Sequence, residues 1–189
     1  MKRTLALIVV LLVVVVTAQA QAVELTQHYE DEYVAFDYPD GWLASYDAES
    51  SENTVQVTNN GVRLPNFGDI SAGNIRIGIN FSSVDAQFEM TSNLTYFVGY
   101  FAGIEMIVAA FGASNQDVTL ALGEPENIEI NGQSAILVDT SHYLDQRLIG
   151  FDVGDGKFLL IIASAPLGEL EQWIDTFMAI AETVEYIGE

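Results

Sequence analysis

Two short, continuously apolar runs beside tight-turn dipeptides constrain the fold of this chain most. Ala135 to Val138 follows Asn131-Gly132, and Phe158 to Ala163 follows Asp155-Gly156. Asn-Gly and Asp-Gly adopt the positive φ of two-residue hairpin loops, so each joins antiparallel neighbours. An antiparallel strand with one wet face alternates apolar and polar residues. These runs do not alternate, so both are predicted to be central strands covered on both faces. The sheet they belong to needs material above and below it.

Two segments are expected to supply that cover. Pro166 to Thr183 opens with proline near a first helical turn and carries Glu169 and Glu171 where the helix dipole favours acids. Its Leu167, Leu170, Trp173, Ile174, Phe177, Ile180, Ala181 and Val184 fall on one stripe at helical spacing. The second segment is Ser92 to Phe111, whose Leu94–Ala110 stretch contains one charge, Glu105. Gly99 and Gly103 lie on one side of it and let the backbone approach a sheet closely. A membrane helix with a Gly-x-x-x-Gly face is the alternative for this stretch. Glu105, the low helix propensity of glycine and the lack of flanking Lys or Arg favour the buried helix. The predicted class is α+β: an antiparallel β-sheet covered by helices on both faces, an α/β/α sandwich, with a closing strand near Val184 to Ile187.

Further strands are predicted where apolar residues alternate. These are Val34, Phe36 and Tyr38; Trp42, Ala44 and Tyr46; Val55 and Val57; and Ile75, Ile77, Ile79 and Phe81. Pro39-Asp40-Gly41 supplies turn chemistry between the first two, and Asn60-Gly61 is a further hairpin dipeptide. No repeat, low-complexity tract or linker divides the chain.

The N-terminus reads as a secretory signal. Met1, Lys2 and Arg3 precede Thr4–Val16, which carry no charge, and Ala18-Gln19-Ala20 offers the small-x-small cleavage pattern, with Ala20-Gln21-Ala22 as a second cut site. The apolar core is shorter than the ~20 residues a permanent span requires. Residues 1–20 are thus expected to be a cleavable signal peptide and residues 21–189 a single secreted or periplasmic domain, with no stable membrane span after cleavage. The chain has no Cys, so disulfides and a lipid-modified cysteine are both ruled out. Cleavage leaves four basic residues, Arg63, Arg76, Arg147 and Lys157, against 27 acidic ones, a net charge of −23. Such a surface repels nucleic acid and anionic lipid and favours cations, basic partners or high salt.

Residues able to carry chemistry are few. No G-x-S-x-G elbow is present, and His28 and His142 are the only imidazoles. Ser141 and His142 are adjacent on a predicted strand, so they point to opposite faces and cannot form a dyad. Two separated His without Cys do not make a zinc site of the usual kind. Calcium requires clustered oxygen ligands. The candidates are Glu30, Asp31 and Glu32, and Asp152 with Asp155. Weaker groupings are Asp37 with Asp40, Asp47 with Glu49 and Glu52, and Glu124 with Glu126 and Glu129. None has EF-hand spacing, and chance clustering is common in so acidic a chain. Tyr29, Tyr33, Phe36, Tyr38, Trp42 and Tyr46 crowd the N-terminal third; aromatic faces can stack on sugars or organic ligands, but Phe36, Tyr38 and Trp42 occupy the alternating inward positions and read as core. Arg63 and Arg76 stand out by rarity and suit internal ion pairs. Asn93-Leu94-Thr95 is a glycosylation sequon within a predicted helix.

Phe36-Asp37-Tyr38-Pro39-Asp40-Gly41-Trp42 resembles the F-x-Y-P-x-x-W opening of the PsbP-like superfamily. The order of elements from about residue 29 to 187 is also similar to that family. It runs through a long helix, an Asn-Gly hairpin into an apolar strand, a further hairpin, an amphipathic helix and a last short strand. The family includes the extrinsic photosystem II subunit, which helps retain calcium and chloride, and bacterial envelope proteins of the DcrB and LpqN type. The resemblance implies a PsbP-like fold and a habit of non-catalytic binding. This chain differs from the photosystem members in its scarcity of basic residues. The functional expectation is a non-catalytic secreted or envelope-associated binding or accessory module, for a protein or small ligand and with no cofactor. The alternatives are a calcium-responsive accessory protein and a secreted hydrolase using His28 or His142.

Overall fold

A computed structural model describes residues 23–46, 53–63, 70–83, 98, 102–103, 121–154 and 157–188. Among the described residues there are eleven strands: β1 (Gln27–Glu30), β2 (Val34–Tyr38), β3 (Leu43–Tyr46), β4 (Asn53–Thr58), β5 (Arg76–Ser83), β6 (Ala121–Leu122), β7 (Glu126–Ile130), β8 (Gln133–Ser141), β9 (Leu144–Gly154), β10 (Lys157–Pro166) and β11 (Glu185–Tyr186). A 3-10 turn, Leu170–Trp173, leads into the helix α1 (Ile174–Ala181). The strands form a three-stranded sheet, β1-β2-β11, and an eight-stranded sheet of order β3-β4-β5-β10-β9-β8-β6, with β7 beside β6 along β8.

The two continuously apolar runs fall where two-sided burial demands. Strand β10 lies between β5 and β9, and its residues sort by parity. Leu159, Ile161, Ala163 and Ala165 join a core with Leu170, Phe177, Ile180 and Ala181. Phe158 and Leu160 join a second core with Ile136, Val138, Leu148, Val98 and Ala102. Strand β8 divides in the same way, Ala135 to the first core and Ile136 and Val138 to the second. Each fully buried Leu, Ile or Phe contributes about 1.5–3 kcal/mol, so these two strands anchor both cores.

Several expectations are corrected. Cover by helices on both faces is not shown among the described residues, where α1 is the one complete helix and lies on the first face. The small sheet shares the cover of the first face, because Val34 and Phe36 of β2 point inward and join the α1 core. On the second face, Val98, Ala102 and Gly103 are helical, and Val98 and Ala102 are fully buried; the rest of 92–111 lies outside the described residues. Pro166 ends β10 opposite Leu144 instead of opening a helix. Gly168, at φ 78°, then turns the chain before helical structure begins at Leu170.

Turn dipeptides also resolve in two ways. Asn131-Gly132, at φ 50° and 77°, closes the β7–β8 hairpin as read from sequence. Asn60-Gly61 does not close a tight hairpin, because β4 pairs with β5, which begins at Arg76. Asn59 instead ties the base of that longer connection, donating to the Gly73 carbonyl at 3.0 Å and accepting from Ile75 N–H at 3.0 Å. Likewise β2 and β3 do not pair. The turn at Pro39-Asp40-Gly41, with Gly41 at φ 77°, carries the chain from the small sheet to the large one.

Candidate functional site

Strands β8 and β9 pair Asp139 with Arg147, Thr140 with Gln146 and Ser141 with Asp145. Alternation sends Asp139, Ser141, Asp145 and Arg147 to the α1 face, and Thr140 and Gln146 to the other. A cleft of about 450 Å³ opens on the α1 face, lined by Leu122, Asp139, Asp145, Arg147, Leu170, Glu171 and Ile174.

The cleft is framed by committed polar groups. Arg147 grips Asp139 bidentately, Nε to Oδ1 and Nη2 to Oδ2, both at 2.7 Å. This is the fork geometry in which guanidinium–carboxylate pairs are strongest. The bond to Asp139 raises the Arg147 pKa against partial burial, and the charges of Asp139, Glu171 and Glu126 add to the rise. Asp145 accepts from Ser141 Oγ at 2.7 Å and from Gly168 N–H at 2.6 Å, so β9 holds the turn that leads into α1. Gly123 N–H donates to the Asp139 carbonyl at 2.8 Å. A Cβ on residue 123 would lie 2.9 Å from that oxygen, so the close approach requires glycine. Glu171 is exposed, and its carboxylate has no hydrogen-bond partner among the described residues.

His142 lies on the opposite face, 2 % exposed, in a closed network. Its Nδ1 accepts from Leu144 N–H at 3.2 Å, which places the ring proton on Nε2, 2.7 Å from Gln146 Oε1. Thr140 Oγ1 also donates to that oxygen, and Gln146 Nε2 donates to Ser164 Oγ at 3.1 Å. Every polar atom in this chain of contacts has a partner, the arrangement that rigidifies an interior. His28 is exposed on β1. Its Nδ1 lies 2.7 Å from Asp37 Oδ1, its cross-strand neighbour, and its Nε2 lies 3.6 Å from Glu30. The Asp37 hydrogen bond raises the His28 pKa, with burial opposing and Glu30 adding. Among the described residues no serine or threonine hydroxyl is hydrogen-bonded to either imidazole.

The calcium candidates are dispersed. Asp31 shapes the β1–β2 turn: Oδ1 accepts from Tyr33 and Val34 N–H at 2.8 and 2.9 Å, and Oδ2 accepts from Tyr29 Oη at 3.0 Å. Burial first, then Asp31, holds the Tyr29 phenol above its ordinary pKa. Glu30 faces His28, and Glu32 is exposed in the turn. Asp152 caps the end of β9 by accepting from Gly154 N–H at 2.9 Å, while Asp155 lies outside the described residues. Asp37 pairs with His28, and Asp40 accepts from Gln27 at 3.2 Å. Glu124, Glu126 and Glu129 are exposed around β7. The Asp47, Glu49 and Glu52 group and the Asn93 sequon lie outside the described residues. No group of three His, Cys, Asp or Glu gathers as a metal site among the described residues.

Of the aromatic crowd, Phe36 is core and Tyr29, Tyr33, Tyr38 and Trp42 pack against it half-buried, while Tyr46 is exposed. Phe36 is 1 % exposed and stacks on Tyr29 at 5.1 Å, and Trp42 meets Trp173 edge-on at 5.8 Å. The cleft was not legible in advance, because the partnership of Asp139 with Arg147 depends on strand register. The one signal was a rare base, Arg147, eight residues beyond an acid.

No protein-family model matches the sequence, and no curated protein is detectably similar to it. Solved structures are similar in fold. The solution structure of cyanobacterial PsbP (CyanoP) from Synechocystis sp. matches with a TM-score of 0.57 at 17% identity, covering 89% of this chain and 95% of that one. Protein PA94 of Pseudomonas aeruginosa, described as of unknown function, matches with a TM-score of 0.45 at 15% identity, covering 83% and 94%. Among the described residues no helix is long and apolar enough to cross a membrane. Two antiparallel sheets, a C-terminal helix and a closing strand thus place this chain in the PsbP-like fold.

Proposed function

We propose that this chain is a non-catalytic binding or accessory module of the cell envelope or extracellular space. It is exported on residues 1–20 and works as residues 21–189. The observation that carries this reading is the contrast between its imidazoles and its cleft. His142 is sealed in a satisfied network and His28 in a surface pair with Asp37, so among the described residues neither is poised over a hydroxyl nucleophile. The cleft beside Arg147 is open and framed by fixed groups, which suits recognition.

Two measurements test it. The intact mass of the exported protein is expected to begin at Gln21; retention of residues 1–20 overturns the processing step. Purified protein is expected to leave ester, peptide, phosphate and glycoside substrates unchanged. Turnover that co-purifies with the chain and vanishes in His142→Gln or His28→Gln overturns the non-catalytic reading.

A further inference from the structure

We infer that the cleft beside Arg147 docks a basic segment of a partner protein, in which a lysine or arginine side chain lies next to an aliphatic residue. This rests on the binding-module reading and names the chemistry of the partner.

The first observation is charge. Asp139, Asp145 and Glu171 face one guanidinium in the cleft, and Asp139 already neutralises that guanidinium. The chain as a whole is at −21, so its field draws cations toward this opening. An anion finds the fork of Arg147 occupied. A divalent cation finds too few oxygens, because both of Asp139 and both of Asp145 are engaged. Calcium requires about six to eight oxygen ligands, whereas an ammonium or guanidinium is held by one or two carboxylates. Glu171 is the carboxylate left for that contact.

The second observation is apolar surface. Leu122 is 53% exposed on the rim, and Leu167, 56% exposed, adjoins the lining residue Gly168. Leu170 and Ile174 line the cleft with Leu122. A lysine or arginine stem covers such surface while its charged head stays at the carboxylate. The third observation is rigidity. The Asp139–Arg147 fork, the Asp145–Gly168 bond and the Gly123 contact fix three sides of the cleft before any ligand arrives, which lowers the ordering cost of binding.

The test titrates the full mature protein with a capped peptide bearing one leucine between lysines, followed by NMR of backbone amides and Arg147 Nε–H. Saturable shifts are expected at Leu122, Gly123, Arg147 and Glu171. Glu171→Gln is expected to weaken binding about threefold and steepen nothing else, as for a rim ion pair. Leu122→Ser is expected to weaken it about tenfold through lost apolar cover. Both residues are exposed, and unchanged spectra outside the cleft confirm that the variants fold. Equal binding of a peptide with serine in place of leucine overturns the inference, as do shifts spread along Glu124, Glu126 and Glu129. Equal binding of butylammonium overturns the choice of a protein segment, and self-association through Leu122 in sedimentation overturns a foreign partner. If the peptide fails while a discrete complex forms through another face, this inference falls and the binding-module reading stands.

Discussion

Gly123 shows how one missing carbon shapes the cleft. Its N–H reaches the Asp139 carbonyl only because no Cβ occupies the 2.9 Å gap to that oxygen. Gly123→Ala must push β6 away from β8 or break the bond. The expected loss is about 1–3 kcal/mol of stability, read from urea unfolding, together with altered shifts at Asp139 and Arg147. His28 offers a residue-scale test of the electrostatics. Asp37, opposed by burial and aided by Glu30, raises its pKa above the ordinary 6.5. The protonated ring is therefore favoured by folding. Its stabilisation is fully present below the unfolded value and is lost as pH rises through the folded one. Proton NMR of the His28 ring is expected to give a midpoint above 6.5. The melting temperature of His28→Gln is expected to fall below wild type in mild acid and converge with it at alkaline pH. A gap that widens with pH contradicts the pairing.

At the scale of elements, β10, β8 and the Asn131-Gly132 hairpin were legible because each rests on a local rule. Two-sided burial removes alternation, and a type I′ loop requires positive φ at both positions. What was not legible depends on partners distant in sequence. The heptad from Phe36 to Trp42 announces strand, turn and strand, yet nothing in it says that the two strands enter different sheets. Asn60-Gly61 carries the same chemistry as Asn131-Gly132, but the strand that pairs with β4 begins only at Arg76. The Asp139–Arg147 fork needed the β8–β9 register, which composition does not supply. One contact binds the separated elements together. Thr183 Oγ1 accepts from Asp37 N–H at 2.9 Å and donates to the Ile180 carbonyl at 2.8 Å, linking β2 to the end of α1. Thr183→Val leaves the Asp37 donor without that partner. It is expected to cost about 1–2 kcal/mol and to speed amide exchange at Asp37 more than in β10. Uniform acceleration across both sheets would mean that they open as a single unit.

For the whole molecule, the decisive quantity is the imbalance between 27 acidic residues and so few bases. Burial of both cores opposes the mutual repulsion of surface carboxylates, and repulsion acts over the Debye length. That length shrinks from about 30 Å at 0.01 M salt to about 3 Å at 1 M, so salt removes most of the destabilising term. Salt also weakens exposed attractive pairs such as His28–Asp37, but attraction is confined to a few contacts while repulsion involves the whole surface. The melting temperature is therefore expected to rise steadily with sodium chloride over this range. The physical cause separates from site binding by ion identity. Screening depends on ionic strength, so calcium and magnesium chlorides at equal ionic strength are expected to stabilise alike. Saturating stabilisation by millimolar calcium, absent with magnesium and reversed by chelator, would require convergent oxygen ligands. Asp31, with both oxygens held in its turn, is not arranged to provide them. A melting temperature indifferent to salt would instead mean that packing in the two cores outweighs surface charge at every ionic strength.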